Sequence, residues 1–432
     1  MTKKFYGWWI VATCFFTFGI STGLPYYNVA FFFDYFRDDH SWPISFVTLG
    51  APVAVLLTIW VGPVIVPRVS PRLLIIIGTG MTFLSFQWFS RLSGAQWEYF
   101  GAWSLYMIGY FISGPIPHQI IISNWFKEKR GRAMGITYVG VAIVGSVGNK
   151  LGPWLSKQMP YTDALHYMSF ILLLAWPLAF FLLRDRPSDM GQHPDGKATE
   201  EVAAAAAVEA KAAAPAKDSL HAAAASSGGQ SFAQLVKQMP FWMLLIGSAA
   251  SIGSIAAVNF HMKFVFEYQG FTDQDARNAI WGTASFWVLW ASIAGRLLAG
   301  YLADKFPRKY VMLVTYLIVA IAIPSLFLVR PETEGFVYLF ALVFGFAMGA
   351  DYMLIPLMAA DQFGLNSLAR AMSAILPTDT IAQFWFPNLI ERMRMVWLGG
   401  DYHAAMMAVF ATAFIGAMAI AALPKKATIP KS

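Results

Sequence analysis

"WASIAGRLLAGYLADKF", Trp290–Phe306, decides how this chain is to be read. One arginine, Arg296, interrupts an apolar run. Of the 432 residues, 57% are hydrophobic and 13% charged, whereas soluble domains run at about 45–50% apolar and about 25% charged. The composition is that of a polytopic membrane protein, so the run crosses a bilayer. An arginine at bilayer depth costs roughly 3 kcal/mol on insertion scales, and Arg296 needs a role that offsets this cost. The net charge of +7 does not point to a nucleic-acid partner, because the basic residues sit in short loops.

A spanning helix takes about 20 mostly apolar residues. Twelve such stretches are expected, at 7–33, 43–66, 73–93, 98–126, 131–156, 163–184, 239–267, 277–303, 309–329, 335–361, 367–394 and 403–424. The eleventh is expected to be discontinuous, because "PTDTIAQFWFPN" carries two prolines and an aspartate; broken helices are tolerated where they line a cavity. "MTKK" before the first stretch resembles a signal-peptide start, but no small-residue cleavage pattern follows, so an uncleaved first helix is expected. Lys3, Lys4, Arg68, Arg72, the "KEKRGR" cluster Lys127–Arg132, Lys305, Arg308, Lys309, Lys425 and Lys426 all fall on one side of this arrangement. "RDDH", "TDQD" and "RPETE" fall on the other. Basic loops stay inside, so both termini are expected in the cytoplasm.

The organisation expected is a six-helix bundle over 1–186, a linker over 187–236 and a second six-helix bundle over 237–432. The linker is alanine-rich with no apolar face, as tethers are. The two flanks echo each other. Gly62 and Gly300, Phe126 and Phe363, and Arg132 and Arg370 are separated by 238, 237 and 238 residues. A shared offset argues for a parallel duplication, the mark of transport folds whose site lies between the halves near the midplane.

"GYLADKFPRK" resembles the loop signature of the major facilitator superfamily, with Gly300, Asp304, Lys305, Arg308 and Lys309 in place as a conformational gating loop. The first-half copy keeps Gly62, Arg68 and Arg72 but has Val66 where the aspartate belongs. "YGWWIVATCF", "SWPISFVTLG", "NWFKEKRGRAMGI", "RDRPSDMGQHPDG" and "GADYMLIPLMAADQFG" resemble the bacterial monocarboxylate transporter and oxalate/formate antiporter branch. The resemblance implies an all-α fold of twelve transmembrane helices around a central cavity. It also implies that Arg296 pairs with a substrate carboxylate and that His261 belongs to the site. Oxalate/formate antiporters use a second cation, a lysine, in span eleven; here that span offers Thr378, Asp379, Thr380 and Gln383. The expected cargo is therefore a small monocarboxylate moved with a proton, with anion exchange or a larger organic acid as the alternative. A sensor that binds without transporting is the rival from another class.

Other polar residues inside the spans complete the candidate set. Arg296 lies eight residues before Asp304, about 12 Å along a helix, and its planar fork matches a carboxylate; a structural ion pair with Asp351 is the alternative. Asp351 and Asp379 fall at similar depth, and buried acids in transporters are proton-relay candidates. Asp351 is ranked first, as lying toward the same half-domain interior as Arg296. Tyr26, Tyr27 and Asn28 in "LPYYNVAFFF" and His118 in "SGPIPHQII" are candidates to orient substrate, or else packing and belt residues. Lys150 either snorkels or attracts anions. The glycines at 140, 145, 148 and 152 suit close helix packing. "GSVGNKLG" lacks the Walker spacing. No nucleophile triad or metal-ligand spacing occurs, and Cys14 is the sole cysteine; neither enzyme activity nor a cofactor or metal is expected. The protein is expected to function as a monomer in the lipid bilayer.

Overall fold

The computed structural model describes residues 5–58, 60–61, 65, 68–126, 129–196 and 230–424, without the side chains of 130, 131, 304, 365, 366, 369 and 373. Outside the described residues lie Gly62 and Val66 of the first-half loop, Lys3, Lys4, Lys127, Lys425 and Lys426 of the basic set, and 197–229 of the expected linker.

Among the described residues there are twelve helical rods, six on each side of the linker. The first half holds α1 (Gly7–His40), α2 (Ile44–Thr58) and α3 (Pro71–Phe89). It continues with α4 (Gln96–Ser113, resumed as Pro115–Trp125), α5 (Arg130–Gln158) and α6 (Tyr161–Leu182). The second holds α7 (Met239–Tyr268), α8 (Gln274–Lys305), α9 (Arg308–Leu328), α10 (Phe336–Phe363), α11 (Leu365–Val396) and α12 (Tyr402–Ala421). Eight of them (α1, α3, α6, α7, α8, α9, α10 and α12) are both long and apolar enough to cross a membrane. The helix ends obey the duplication: α4 stops at Trp125 and α10 at Phe363, each just before the paired basic stretch.

Three elements differ from the sequence expectation. α1 continues past residue 33 to His40, where Ser41 turns left-handed at φ 53° and ends it. α11 is continuous through Pro377 and Pro387. Thr378 and Thr380 donate back to the carbonyls of Ala374 and Leu376, both at 2.9 Å, so carbonyls near the first proline keep donors. The break falls in α4 instead, where Gly114, with ψ −136°, precedes Pro115; a proline disfavours helical backbone in the residue before it.

α1 also widens into a π-helix over Gly19–Gly23 ahead of Pro25. Proline removes a helix donor and crowds the turn before it, and such bulges often mark functional sites. Tyr26 and Tyr27 follow directly.

Glycines set the tightest helix contacts. A Cβ on Gly140 would lie 2.1 Å from the Phe15 carbonyl, and one on Gly23 2.2 Å from that of Val141, so α1 and α5 touch backbone to backbone. Gly295, Gly345 and Gly349 do the same for α8 and α10, at 1.9–2.2 Å. Between the halves, Gly282 on α8 lies under the Asn149 carbonyl on α5, 2.8 Å from where its Cβ would be. The expected linker is docked at both edges. Gln192 accepts from the Tyr6 amide at 2.9 Å, and the Gln230 amide donates to Ser367 at 2.9 Å.

Candidate functional site

The sequence candidates separate into three places. At the centre, between the halves, are Arg296, Tyr26 and Tyr27. Arg296 projects from α8 toward α5 and α1. It donates to the Tyr138 carbonyl at 3.3 Å and lies in hydrogen-bonding range of the Tyr27 hydroxyl. Among the described residues no carboxylate oxygen lies within 4 Å of it; its ion-pair alternative, Asp351, is engaged elsewhere. Tyr26 accepts from Gln383 of α11 and packs against Tyr27, Tyr110 and Phe384. Tyr352 on α10 neighbours the same tyrosines and is 41% exposed. A tyrosine exposed at the middle of an interface marks open space there.

Outward of Arg296 along α8 the space narrows to a cavity of about 20 Å³ lined by Tyr27, Asn149, Asn259, Trp281 and Ser285. That is room for about one water. Both amide atoms of Asn149 and the Trp281 indole N–H are buried without partners.

The second place is the interior of the second half. Asp351 is fully buried, and its Oδ2 accepts from Ser251 at 2.8 Å. Its Oδ1 has no strict hydrogen-bond partner, and Tyr316 lies beside it. Asp379 accepts from Ser248 at 2.7 Å and lies within electrostatic reach of Asp351. Two serines one helical turn apart on α7 thus each hold one acid, and among the described residues no cation lies within 4 Å of either. His261 is also in this half, with Nε2 on the Pro387 carbonyl at 2.8 Å and its ring facing Tyr402.

The third place is the interior of the first half. His118 uses both ring nitrogens, on Thr17 at 3.0 Å and the Gly114 carbonyl at 2.8 Å, and stacks on Phe18. It ties α1 to the resumed part of α4 at the Gly114 break. Asn28 donates to the carbonyls of Leu24 and Gly145, joining α1 to α5. Lys150 is exposed and crosses to α8, donating to Thr283 at 3.0 Å.

The gating loop lies at the end carrying the termini. Gly300 lies against Met353, Lys305 sits over the Tyr301 ring, Arg308 pairs with Asp361 at 2.6 Å, and Lys309 donates to the Leu423 carbonyl. The Asp304 side chain lies outside the described residues. These described contacts stay within the second half.

At the opposite end is a charged network the sequence reading missed. Asp34, at the end of α1, is fully buried. Lys263 of α7 donates to its Oδ1 at 2.7 Å and Arg277 of α8 approaches its Oδ2 at 3.3 Å. Lys263 also donates to the Phe31 carbonyl at 2.7 Å. Arg37 binds Glu267 of α7 through two nitrogens at 2.7 and 3.0 Å and Asp38 at 2.6 Å; Arg277 reaches Glu267 at 3.4 Å. Asn278 donates to the Tyr35 hydroxyl at 2.8 Å. Every helix here belongs to one half or the other, so the network seals this end across the interface. Removing one partner of such a buried pair costs about 3–5 kcal/mol, because the other charge is left uncompensated.

Comparison with solved structures finds the same architecture. The chain resembles a bacterial homolog of the human lysosomal transporter Spinster, in an inward-facing and unoccupied conformation (TM-score 0.64, 13% identity, covering 97% of this chain and 96% of that one). It also resembles a glutamate-to-glutamine mutant of the peptide transporter POT, alone and in complex with sulfate (TM-score 0.68, 11% identity, 95% and 93% covered in each case). At such identities the likeness is one of fold. No curated protein matches the sequence significantly. The sequence itself matches the Major Facilitator Superfamily profile over residues 114–387, more than half of its length. On that match, and with twelve helices in two halves among the described residues, this chain belongs to the major facilitator superfamily and is a secondary transporter.

Proposed function

We propose that the protein carries small organic monocarboxylates with a proton by alternating access, in a bacterial inner membrane with both termini cytoplasmic. The observation that carries this reading is Arg296, a central guanidinium without a carboxylate partner among the described residues. A guanidinium held this way binds a carboxylate through two parallel hydrogen bonds, and the Tyr27 hydroxyl beside it supplies a further polar contact. One central cation suits a monoanion. Span eleven adds none there: its Gln383 is bonded to Tyr26. This disfavours the dianion exchange of the oxalate/formate type.

Asp351 and Asp379 are the proton sites in this reading. Each is held by one serine, and among the described residues no cation lies within 4 Å to fix either in the ionised state. A bound carboxylate cancels Arg296, and a neutral acid then lets the loaded carrier reorient across a low-dielectric barrier. The outer end is closed by the Asp34 network, so the central site communicates with the cytoplasmic side in this form. The domain division 1–186, 187–236 and 237–432, and function as a monomer, belong to the same proposal.

The test is uptake into proteoliposomes of lactate, pyruvate, acetate, formate and oxalate under an imposed proton gradient. Gradient-stimulated uptake of the monoanions is expected. Uptake of oxalate alone, or only in exchange for formate, would move the assignment to the antiporter.

A further inference from the structure

Asp34 is a carboxylate seated in a finished carboxylate site. Lys263 and Arg277 bring one cation to each of its oxygens, and both are about as buried as the acid, at 2% and 3% exposure. Lys263 is further fixed over the rings of Phe31 and Tyr35. The acid belongs to α1 and the cations to α7 and α8, so the site and its occupant come from different halves. Alternating access requires the halves to part at this end. When they do, Asp34 leaves with Arg37 and Asp38, a formal charge of −1, while Lys263, Arg277 and Glu267 remain together at +1. An emptied pair of cations next to one acid attracts and holds one small anion.

We propose that Lys263 and Arg277 form an entry site for a small carboxylate in the form open at this end, and that Asp34 displaces the ligand from it as the end closes. The ligand class rests on the monocarboxylate reading. Asp34 and the ligand carboxylate compete for the same two cations, so closing is also eviction. The path inward runs down α8 from Arg277. It passes the Trp281 indole N–H and the Asn149 amide, whose donors have no partners in the closed form, and Ser285, before Tyr27 and Arg296. Nineteen residues separate the two arginines, about 28 Å of helix, and these donors fall between them.

The test uses the one buried cysteine, Cys14. In a Cys14→Ser, Ser285→Cys background, sealed vesicles with this end facing out are treated with impermeant anionic (sulfonatoethyl) or cationic (trimethylammonioethyl) methanethiosulfonate. Labelling should be slow for both while Asp34 is present. Asp34→Asn should admit the anionic reagent about tenfold faster than the cationic one, and adding Lys263→Gln should erase that preference. Excess lactate should slow anionic labelling. No charge preference in Asp34→Asn, or a preference that survives Lys263→Gln, overturns the proposal. A Lys263-dependent preference without lactate protection leaves the anion site standing and sinks the monocarboxylate reading instead. If Asp34→Asn does not fold, the exchange Asp34→Lys with Lys263→Asp decides: it should reseal the end and label slowly, and fast anionic labelling there overturns the proposal.

Discussion

Arg277 and Arg296 stand on the same helix and have opposite circumstances. Arg277 is buried, shared between Asp34 and Glu267, and ties two halves together. Arg296 is half-buried, contacts a backbone carbonyl and a tyrosine, and meets no carboxylate among the described residues. One guanidinium is saturated by the protein's own acids. The other meets none of them among the described residues. The same residue type is tied across the halves at one depth and left without an acid at another, and the proposed binding role rests on that difference.

Replacing each arginine by lysine breaks the symmetry of this comparison most sharply. Arg296→Lys keeps the charge and loses the fork; uptake should fall about 100-fold, as expected when a bidentate charged contact worth about 3 kcal/mol is lost. The thermal midpoint of the purified carrier should hardly move. Near-normal uptake in correctly folded Arg296→Lys would place this residue outside the binding site. Arg277→Lys can still reach carboxylates from two sides, and should retain most uptake.

Asp351→Asn sharpens the contrast between ligand binding and proton movement. The amide imitates the protonated acid and cannot release a proton. Gradient-driven uptake should be lost and substrate counterflow kept, both measured in the same vesicles. Survival of gradient-driven uptake would pass the role to Asp379, tested by the same substitution.

Arg277→Gln reads the other side of the comparison. It leaves Asp34 with Lys263 alone, and the closed form should lose about 3 kcal/mol, seen as a lower thermal midpoint. Arg296→Gln removes no acid's partner and should leave that midpoint within a degree or so of the parent. Equal midpoints for the two variants would mean that the network contributes little to holding the halves together.

The smallest effect is expected from the linker. Deleting residues 202–225 should change uptake by less than about twofold, since tethers act mainly through reach. A chain that inserts normally and fails to transport would show that the segment does more.

The helices were legible because an apolar length is a local property, and the repeat because an offset can be counted. Arg296 was legible because a cation in an apolar run is anomalous by itself. Asp34, Lys263 and Arg277 were not, for two reasons. They lie near the ends of their spans, where charges read as loop, and α1 was expected to stop before Asp34. Their pairing also joins positions 229 and 243 residues apart, across the halves, for which no spacing rule exists. His118 and His261 show the converse. Each looked chemical because it is a titratable ring in a membrane span, and each proves to bond a backbone carbonyl near a glycine or proline irregularity of a helix. Asp351 was expected toward the interior of the half that carries Arg296, and it faces Ser251 and Tyr316 inside the second half; the carbonyl and tyrosine that Arg296 contacts belong to the first half instead.

Gly282 under the Asn149 carbonyl has a mechanical consequence. Side chains between moving bodies act as teeth; they must disengage before the bodies can turn. At this crossing little projects: a backbone carbonyl rests on a glycine, with the Pro153 ring and the Lys150–Thr283 hydrogen bond beside it, between the charged clasp at one end and the open space around Tyr352 at the other. It is built as a bearing. A body that rolls on such a point opens one mouth by the same motion that shuts the other, so the two gates need no separate signal to keep them out of phase.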